Sequence, residues 1–370
     1  MHKRMRICWL ILVILLISCT TSQERAADIP ESVQLAAGQE ATESETGSAE
    51  VELTDAEGTP TPTVPRPTRS PMPPTATSTR SPMPPTATST RSPIPPTATP
   101  TRVPLSPTPE VITLPAGEPV KYARYLHHDI VSYGVLRDEE TLWRVEGDIF
   151  AEHTVLAETV PLSEVQLLAP VQAGNLLAVG LNYASHAGAA VPAVPEMIPK
   201  LPNALAGPND PIWMFPDASN LHYEAELVVV IGKEGRNIPL EQAASYVFGV
   251  TAGNDVSERN WQANDLQWIR AKSSDSFAPI GPYIVTNLDY NDLLVQSRIN
   301  GELRQSESSA LLIHNVETLI SYISQYITLK PGDVIFTGTP GKTQAMEIGD
   351  VIEVEVEGVG VLRNTITARE

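Results

Sequence analysis

Regular alternation of apolar and polar positions begins only near Val111 and then continues to the end of the 370-residue chain. Its most coherent segment is His222-Tyr-Glu-Ala-Glu-Leu-Val-Val-Val-Ile-Gly232. Branched aliphatic residues dominate its second half and Gly232 closes it, which predicts a β-strand. Side chains alternate between the faces of a strand, so His222, Glu224, Glu226, Val228 and Val230 share one face. Tyr223, Ala225, Leu227, Val229 and Ile231 share the other. Both faces turn apolar toward Gly232, so neither reads as a solvent face. Glu224 and Glu226 therefore neighbour each other on a face that runs into a core. Carboxylates that close repel, and burying them unpaired is costly. A divalent cation removes that conflict. A partly exposed strand start with two solvated glutamates removes it equally well, and the segment alone leaves both open.

Elsewhere, residues 122–125, 131–136 and 141–145 are β-rich and split by polar turns such as Asp138-Glu139-Glu140, which predicts a small antiparallel unit. Residues 165–168 and 176–179 are further strand candidates. A Gly/Asn/Ser-rich loop, Gly180-Leu-Asn-Tyr-Ala-Ser-His-Ala-Gly188, leaves the second of these, a usual place for function. Its one histidine, His186, is equally readable as a surface residue. Residues 240–248, entered through Pro239, predict a helix, as do residues 260–269 and 316–326. Asp255 stands just ahead of the second of these, where a lone Asp is ordinarily a cap. Residues 295–299 and 303–305 flank Asn300-Gly301, which predicts a hairpin with a type I′ turn. Gly332 and Gly349 each open a Gly-Asp-Val-Ile strand start. Many strands with few helices predict a mixed, β-rich α+β fold, a mostly antiparallel β-roll or barrel, not a doubly wound sheet.

The first third of the chain reads differently. Lys3, Arg4 and Arg6 precede an apolar run over residues 7–17, too short for a spanning helix of about 20 residues. The run ends in Leu16-Ile17-Ser18-Cys19, which resembles the bacterial lipobox. That resemblance implies cleavage before Cys19 and lipidation of its sulfur; an uncleaved signal anchor is the alternative. Residues 26–64 carry no Lys or Arg but many acids, and cannot bury enough apolar surface to offset their ordering entropy. An Arg-Ser-Pro repeat then starts at Arg69, Arg80 and Arg91. Dense proline favours extended polyproline II, and the Ser/Thr content suits O-glycosylation, so the stretch reads as a stalk. The organisation expected is a signal over residues 1–18, a disordered stalk over 19–110, a small domain over 111–170 and a larger one over 171–370. It places the protein outside the cytoplasm, anchored to the cell membrane by lipid.

A formal charge of −19 argues against nucleic acid as a partner. The two cysteines, Cys8 and Cys19, both lie near the N-terminus, so the rest of the chain has neither disulfides nor a thiolate metal site.

From residue 176 to residue 366 the motifs, in order, resemble the fumarylacetoacetate hydrolase family. They are Gly180-Leu-Asn-Tyr with His186, Lys200-x-Pro-Asn-Ala-Leu, Tyr223-Glu-x-Glu-Leu227, Asn254-Asp-Val-Ser-x-Arg259 with Gln262, Ala271-Lys-Ser-x-Asp275, Gly281-Pro282, Asn300-Gly with Gln305, Pro331-Gly-Asp-Val-Ile335, Thr337-Gly-Thr-Pro340 and Gly358-x-Gly-x-Leu362. The resemblance implies a β-roll or barrel-like catalytic domain behind a small N-terminal β domain, and a homodimer. It implies Mg²⁺ or Mn²⁺ on Glu224, Glu226 and Asp255, three hard oxygen ligands that suit those ions over zinc. It implies Lys272 as a countercharge to a developing enolate, Thr339 on the substrate carboxylate, and Arg259 and Gln262 along the pocket. A surface salt bridge and a helix-face amide are the alternatives for those last two.

In hydrolytic members the loop histidine works with a Glu three residues later, but Ala189 stands there. That departure shifts the expectation from hydrolysis toward isomerisation or decarboxylation of a 2-oxo or 2,4-dioxo acid. A second departure, Gly341-Lys342-Thr343-Gln344, stands where relatives commonly have Gly-Val-Gly, and touches the substrate loop. The competing expectation is a surface-anchored lipoprotein that keeps the metal pocket to bind a carboxylate without efficient catalysis.

Overall fold

The computed structural model describes residues 109–370; the signal, Cys19 and almost all of the stalk lie outside the described residues. Two open sheets make up most of the architecture, with few helices. The fold is thus the expected mixed, β-rich α+β type, but its sheets pack on each other instead of closing into a barrel.

The larger sheet has 13 strands. Its centre runs Val120–His127, Ala278–Thr286, Val247–Asn254, Ala225–Ile231, Val334–Phe336, Leu176–Gly180 and Glu196–Lys200 in that spatial order. Pairing is antiparallel along this path except between Val334–Phe336 and Leu176–Gly180. The N-terminal hairpins Ile130–Leu136, Thr141–Gly147 and His153–Pro161 extend the same sheet beyond Val120–His127. The smaller sheet carries Leu294–Ile299 and Glu302–Ser308 at one side. Ala225–Ile231 packs against Leu294–Ile299 and Val351–Val356 of that smaller sheet. All seven of its residues are buried, which is why both faces of its sequence are apolar.

Local signals hold where they are strongest. Asn300 and Gly301 take φ of 52° and 83°, the two positive values a type I′ turn requires. The helix Val316–Tyr326 is capped by Asn315, whose side chain accepts from the Thr318 N–H, and buries Val316, Leu319, Ile320 and Ile323 along one face. Three expectations are corrected. Residues 240–246 form a 3₁₀ helix and the chain turns into the strand Val247–Asn254 immediately after. The single helix expected over 260–269 is two short ones, Arg259–Asn264 and Ile269–Ser273. The expected strand from His222 is interrupted: Leu221–His222 pairs with Ser257–Glu258, and the long strand starts only at Ala225.

Candidate metal centre

That interruption places Glu224 in a gap between two strand pieces, at the point where the neighbouring strand also ends. Asn254 pairs in register with Ala225, and Glu226 with Gly253. The Asn254 side-chain carbonyl accepts from the Glu224 N–H at 2.9 Å, and the Asp255 N–H donates to the Glu224 carbonyl at 2.9 Å. Antiparallel pairing thus brings Asp255 beside the two glutamates, and one oxygen from each of the three carboxylates lies within 4.8 Å of the others. Asp255 caps no helix; Glu258 caps Arg259–Asn264 by accepting from the Trp261 N–H at 2.6 Å.

All three carboxylates are buried. Lys272, on Ile269–Ser273, spans two of them, 2.6 Å from Glu224 Oε2 and 2.8 Å from Asp255 Oδ2. Lys200, at the end of Glu196–Lys200, lies 2.5 Å from Asp255 Oδ1 and donates to the Lys272 carbonyl. Arg259 approaches Glu224 Oε1 at 2.5 Å and holds Gln262 Oε1 at 2.7 Å. Burial by itself would raise the Glu224 carboxyl, but Lys272 and Arg259 outweigh it and hold it well below the usual range. For Lys272 burial works against the charge, and Asp255 and Glu224 overcome it, so its pKa lies above the ordinary lysine value.

Glu226 is different. Among the described residues its one hydrogen bond comes from the Gly338 N–H at 2.6 Å, and no cation touches it. Burial, with the charges of Asp255 and Glu224 added, raises its pKa well above the ordinary value. A buried carboxylate without a cation, beside two others, is the observation that fits a hard divalent ion. Gly338 is required at that donor: its φ is +109°, and a Cβ there would stand 2.7 Å from Asn182 Cβ.

His186 faces the same cavity, with Nε2 at 3.7 Å from Glu224 Oε1. Its Nδ1 lies 2.7 Å from the Gly341 carbonyl, which can only accept, so Nδ1 carries the proton and Nε2 is the free base in the neutral ring. The orientation that the absent carboxylate at Ala189 would have given comes from this main-chain oxygen. Gly341 is itself held: its N–H donates to Ser185 Oγ at 2.9 Å, and Ser185 donates to Glu307 Oε2 at 2.9 Å. Thr343, two residues on, accepts from Arg259 at 3.1 Å and lies 2.8 Å from His222 Nδ1. Burial, then the charge of Arg259, brings the His222 pKa down to about 4, which keeps that ring neutral. The departing loop therefore ties down both His186 and Arg259.

The cavity has a volume of about 80 Å³, and His186, Glu224, Glu226, Arg259, Lys272 and Thr339 line it together with Gln262. Of the described residues expected at the site from sequence, all but Asp255 line this cavity, and Asp255 is bonded to Lys272 of its wall. Thr339 spends its proton on the Ala225 carbonyl at 2.9 Å and accepts from Gln305 Nε2 at 2.8 Å. Sequence reasoning gave no role to Lys200, Gln305 or the Gly341 carbonyl. For Lys200 the available signal was a lysine inside a strand and a motif; for a main-chain oxygen there is none.

A family model described as "Fumarylacetoacetate (FAA) hydrolase C-terminal" matches residues 175–367, and one described as "Rv2993c-like, N-terminal" matches residues 120–170. Protein Rv2993c of Mycobacterium tuberculosis is 41% identical over 237 residues, covering 62% of this chain and 89% of the relative. The human mitochondrial oxaloacetate tautomerase FAHD2A is 37% identical over 223 residues, covering 56% of this chain and 71% of its own. Among solved structures, a 2-hydroxyhepta-2,4-diene-1,7-dioate isomerase from Mycobacterium marinum superposes with a TM-score of 0.64 at 36% identity, over 68% of this chain and 99% of that one.

Proposed function

The chain belongs to the fumarylacetoacetate hydrolase family, and from that premise we propose that it is a Mg²⁺- or Mn²⁺-dependent enzyme that moves a proton at the carbon next to the carbonyl of a 2-oxo or 2,4-dioxo acid. Enol–keto isomerisation is its main reaction in this reading, and C–C hydrolysis is weak. The observation that carries it is the buried triad of Glu224, Glu226 and Asp255 with the base face of His186 turned toward it.

Glu224, Glu226 and Asp255 would hold the ion. The ion, when bound, supplies Lewis-acid polarisation of the substrate carbonyl. Lys272 stays protonated beside the triad and adds fixed positive charge where the enolate develops. Arg259, kept in the cavity by Gln262 and Thr343, adds a second cation that suits an anionic substrate. His186 accepts the proton on Nε2 while Nδ1 stays on the Gly341 carbonyl, and returns it to the other end of the enolate. Tautomerisation needs only that shuttle. Hydrolysis needs in addition a water activated by a base whose cation is stabilised, and a carbonyl oxygen stabilises an imidazolium less than a carboxylate does. Oxaloacetate enol–keto exchange by the full-length protein under saturating Mg²⁺ tests the reading. It should be lost in both Glu224→Gln and His186→Asn; exchange that persists in Glu224→Gln would overturn the assignment.

The lipobox reading is proposed alongside, on Leu16-Ile17-Ser18-Cys19. Cys19→Ala should leave an unlipidated precursor or a released protein; an N-terminal mass and detergent partitioning unchanged by it would refute the anchor.

A further inference from the structure

The metal cavity is small, with room for only a few water-sized groups in its 80 Å³ or so. Gly180, Leu181, Ile198 and Trp268 line it and also line a second cavity of about 400 Å³. The larger cavity, a vestibule, thus adjoins the metal cavity. Met197 and Ile198 form one wall from the edge strand Glu196–Lys200, and Leu266, Trp268 and Ile269 form the other from between the two short helices. Leu266 is 95% exposed, Trp268 40% and Ile269 41%, so this wall presents apolar side chains that none of the described residues covers.

Among the described residues no cation lines the vestibule, and the one charged residue on its walls is Glu196. Arg270, next in sequence to the wall, is turned to Asp265 at 2.7 Å and Asp217 at 3.1 Å. Lys272 and Arg259 are engaged inside the metal cavity with Glu224, Asp255 and Gln262. A ligand head at the triad has this cavity beside it, where an aliphatic chain would lose water contact and a carboxylate would find no partner and a like charge in Glu196.

We infer that the vestibule takes an unbranched aliphatic tail of a 2-oxo acid whose head sits at the triad, and that it selects against a tail long enough to carry a terminal carboxylate into it, which the one-carbon tail of oxaloacetate is not. This rests on the reading of the triad as the holder of a 2-oxo acid.

Calorimetric titration of the full chain at saturating Mg²⁺ with pyruvate, 2-oxohexanoate and 2-oxoadipate tests it without turnover. The last two share a backbone and differ in a terminal methyl against a terminal carboxylate. Three added methylenes, about fourfold each if fully buried and less in a half-open vestibule, give about tenfold tighter binding of 2-oxohexanoate than of pyruvate. 2-Oxoadipate should bind about tenfold more weakly than 2-oxohexanoate. Met197→Lys places a cation on the wall and should raise the affinity ratio of 2-oxoadipate to 2-oxohexanoate. Pyruvate that binds while all three acids bind alike would overturn the inference and leave the triad reading intact; a vestibule covered by a second copy of the chain would give that result. Tighter 2-oxoadipate in the unsubstituted protein would overturn it too. No pyruvate binding at all would remove the triad reading and this one with it.

Discussion

Proton release on metal binding is the most direct consequence of the way the site is charged. Glu224 lies against Lys272 and Arg259, and Asp255 against Lys200 and Lys272, but among the described residues Glu226 touches no cation. Its pKa is raised above that of an ordinary carboxyl, first by burial and then by its two acidic neighbours. The native metal-free protein therefore holds a proton on Glu226 over a pH range where the unfolded chain, with a glutamate pKa of about 4.3, has released it. Because the native state binds the extra proton, stability of the metal-free protein falls as pH rises from that ordinary value through the raised one. A divalent ion needs the carboxylate form, so its binding expels that proton. The expected release is about one proton per ion at the acid end of this window, falling toward zero above the raised pKa. The Mg²⁺ dissociation constant should fall about tenfold per pH unit within the window and flatten above it. Calorimetry from pH 5 to 8 in buffers of different ionisation enthalpy measures both. Glu226→Gln keeps the shape and removes the titration, so it should bind Mg²⁺ more weakly with a flat pH profile. A wild-type protein that releases no proton anywhere in that range, or a release that survives in Glu226→Gln, would refute the reasoning.

Lys200→Met leaves Asp255 paired with Lys272 alone and should cost about 1–3 kcal/mol in chemical denaturation, since one charge-assisted hydrogen bond is lost while the carboxylate stays paired; an unchanged midpoint would show that the Lys200 contact contributes nothing. Gly338→Ala forces a Cβ to 2.7 Å from Asn182 Cβ at a φ of +109°, so we expect a loss of about 1–3 kcal/mol together with weaker Mg²⁺ binding as the donor to Glu226 shifts. His186→Asn should lower oxaloacetate tautomerisation by about 10²- to 10⁴-fold with Mg²⁺ affinity retained, read from enol–keto exchange beside calorimetry. Ala189→Glu should raise acetylpyruvate cleavage over a weak wild-type rate; fast wild-type cleavage, unaffected by that change but lost in His186→Asn, would show that the Gly341 carbonyl and the Ser185–Glu307 contact already do what a carboxylate would.

Features that repeat within a few residues were legible in the sequence. The strand character of Ala225–Ile231, the helical spacing of Val316–Tyr326 and the type I′ turn at Asn300 and Gly301 are local properties, and each appears in the structure as read. The triad was legible because Glu224 and Glu226 lie on one stretch, and the family motif added Asp255. Tertiary structure decided the rest. It interrupted the strand ahead of Ala225, because Leu221–His222 pairs with Ser257–Glu258 and not with the strand that flanks Ala225–Ile231. It kept the sheets open. It brought Lys200 to Asp255 across 55 positions and the Gly341 carbonyl to His186 across 155, so a histidine that looked poorly supported is oriented by main chain. Contacts of that span leave no periodicity, since their energy depends on where two distant segments pack and one of the partners is an atom every residue carries.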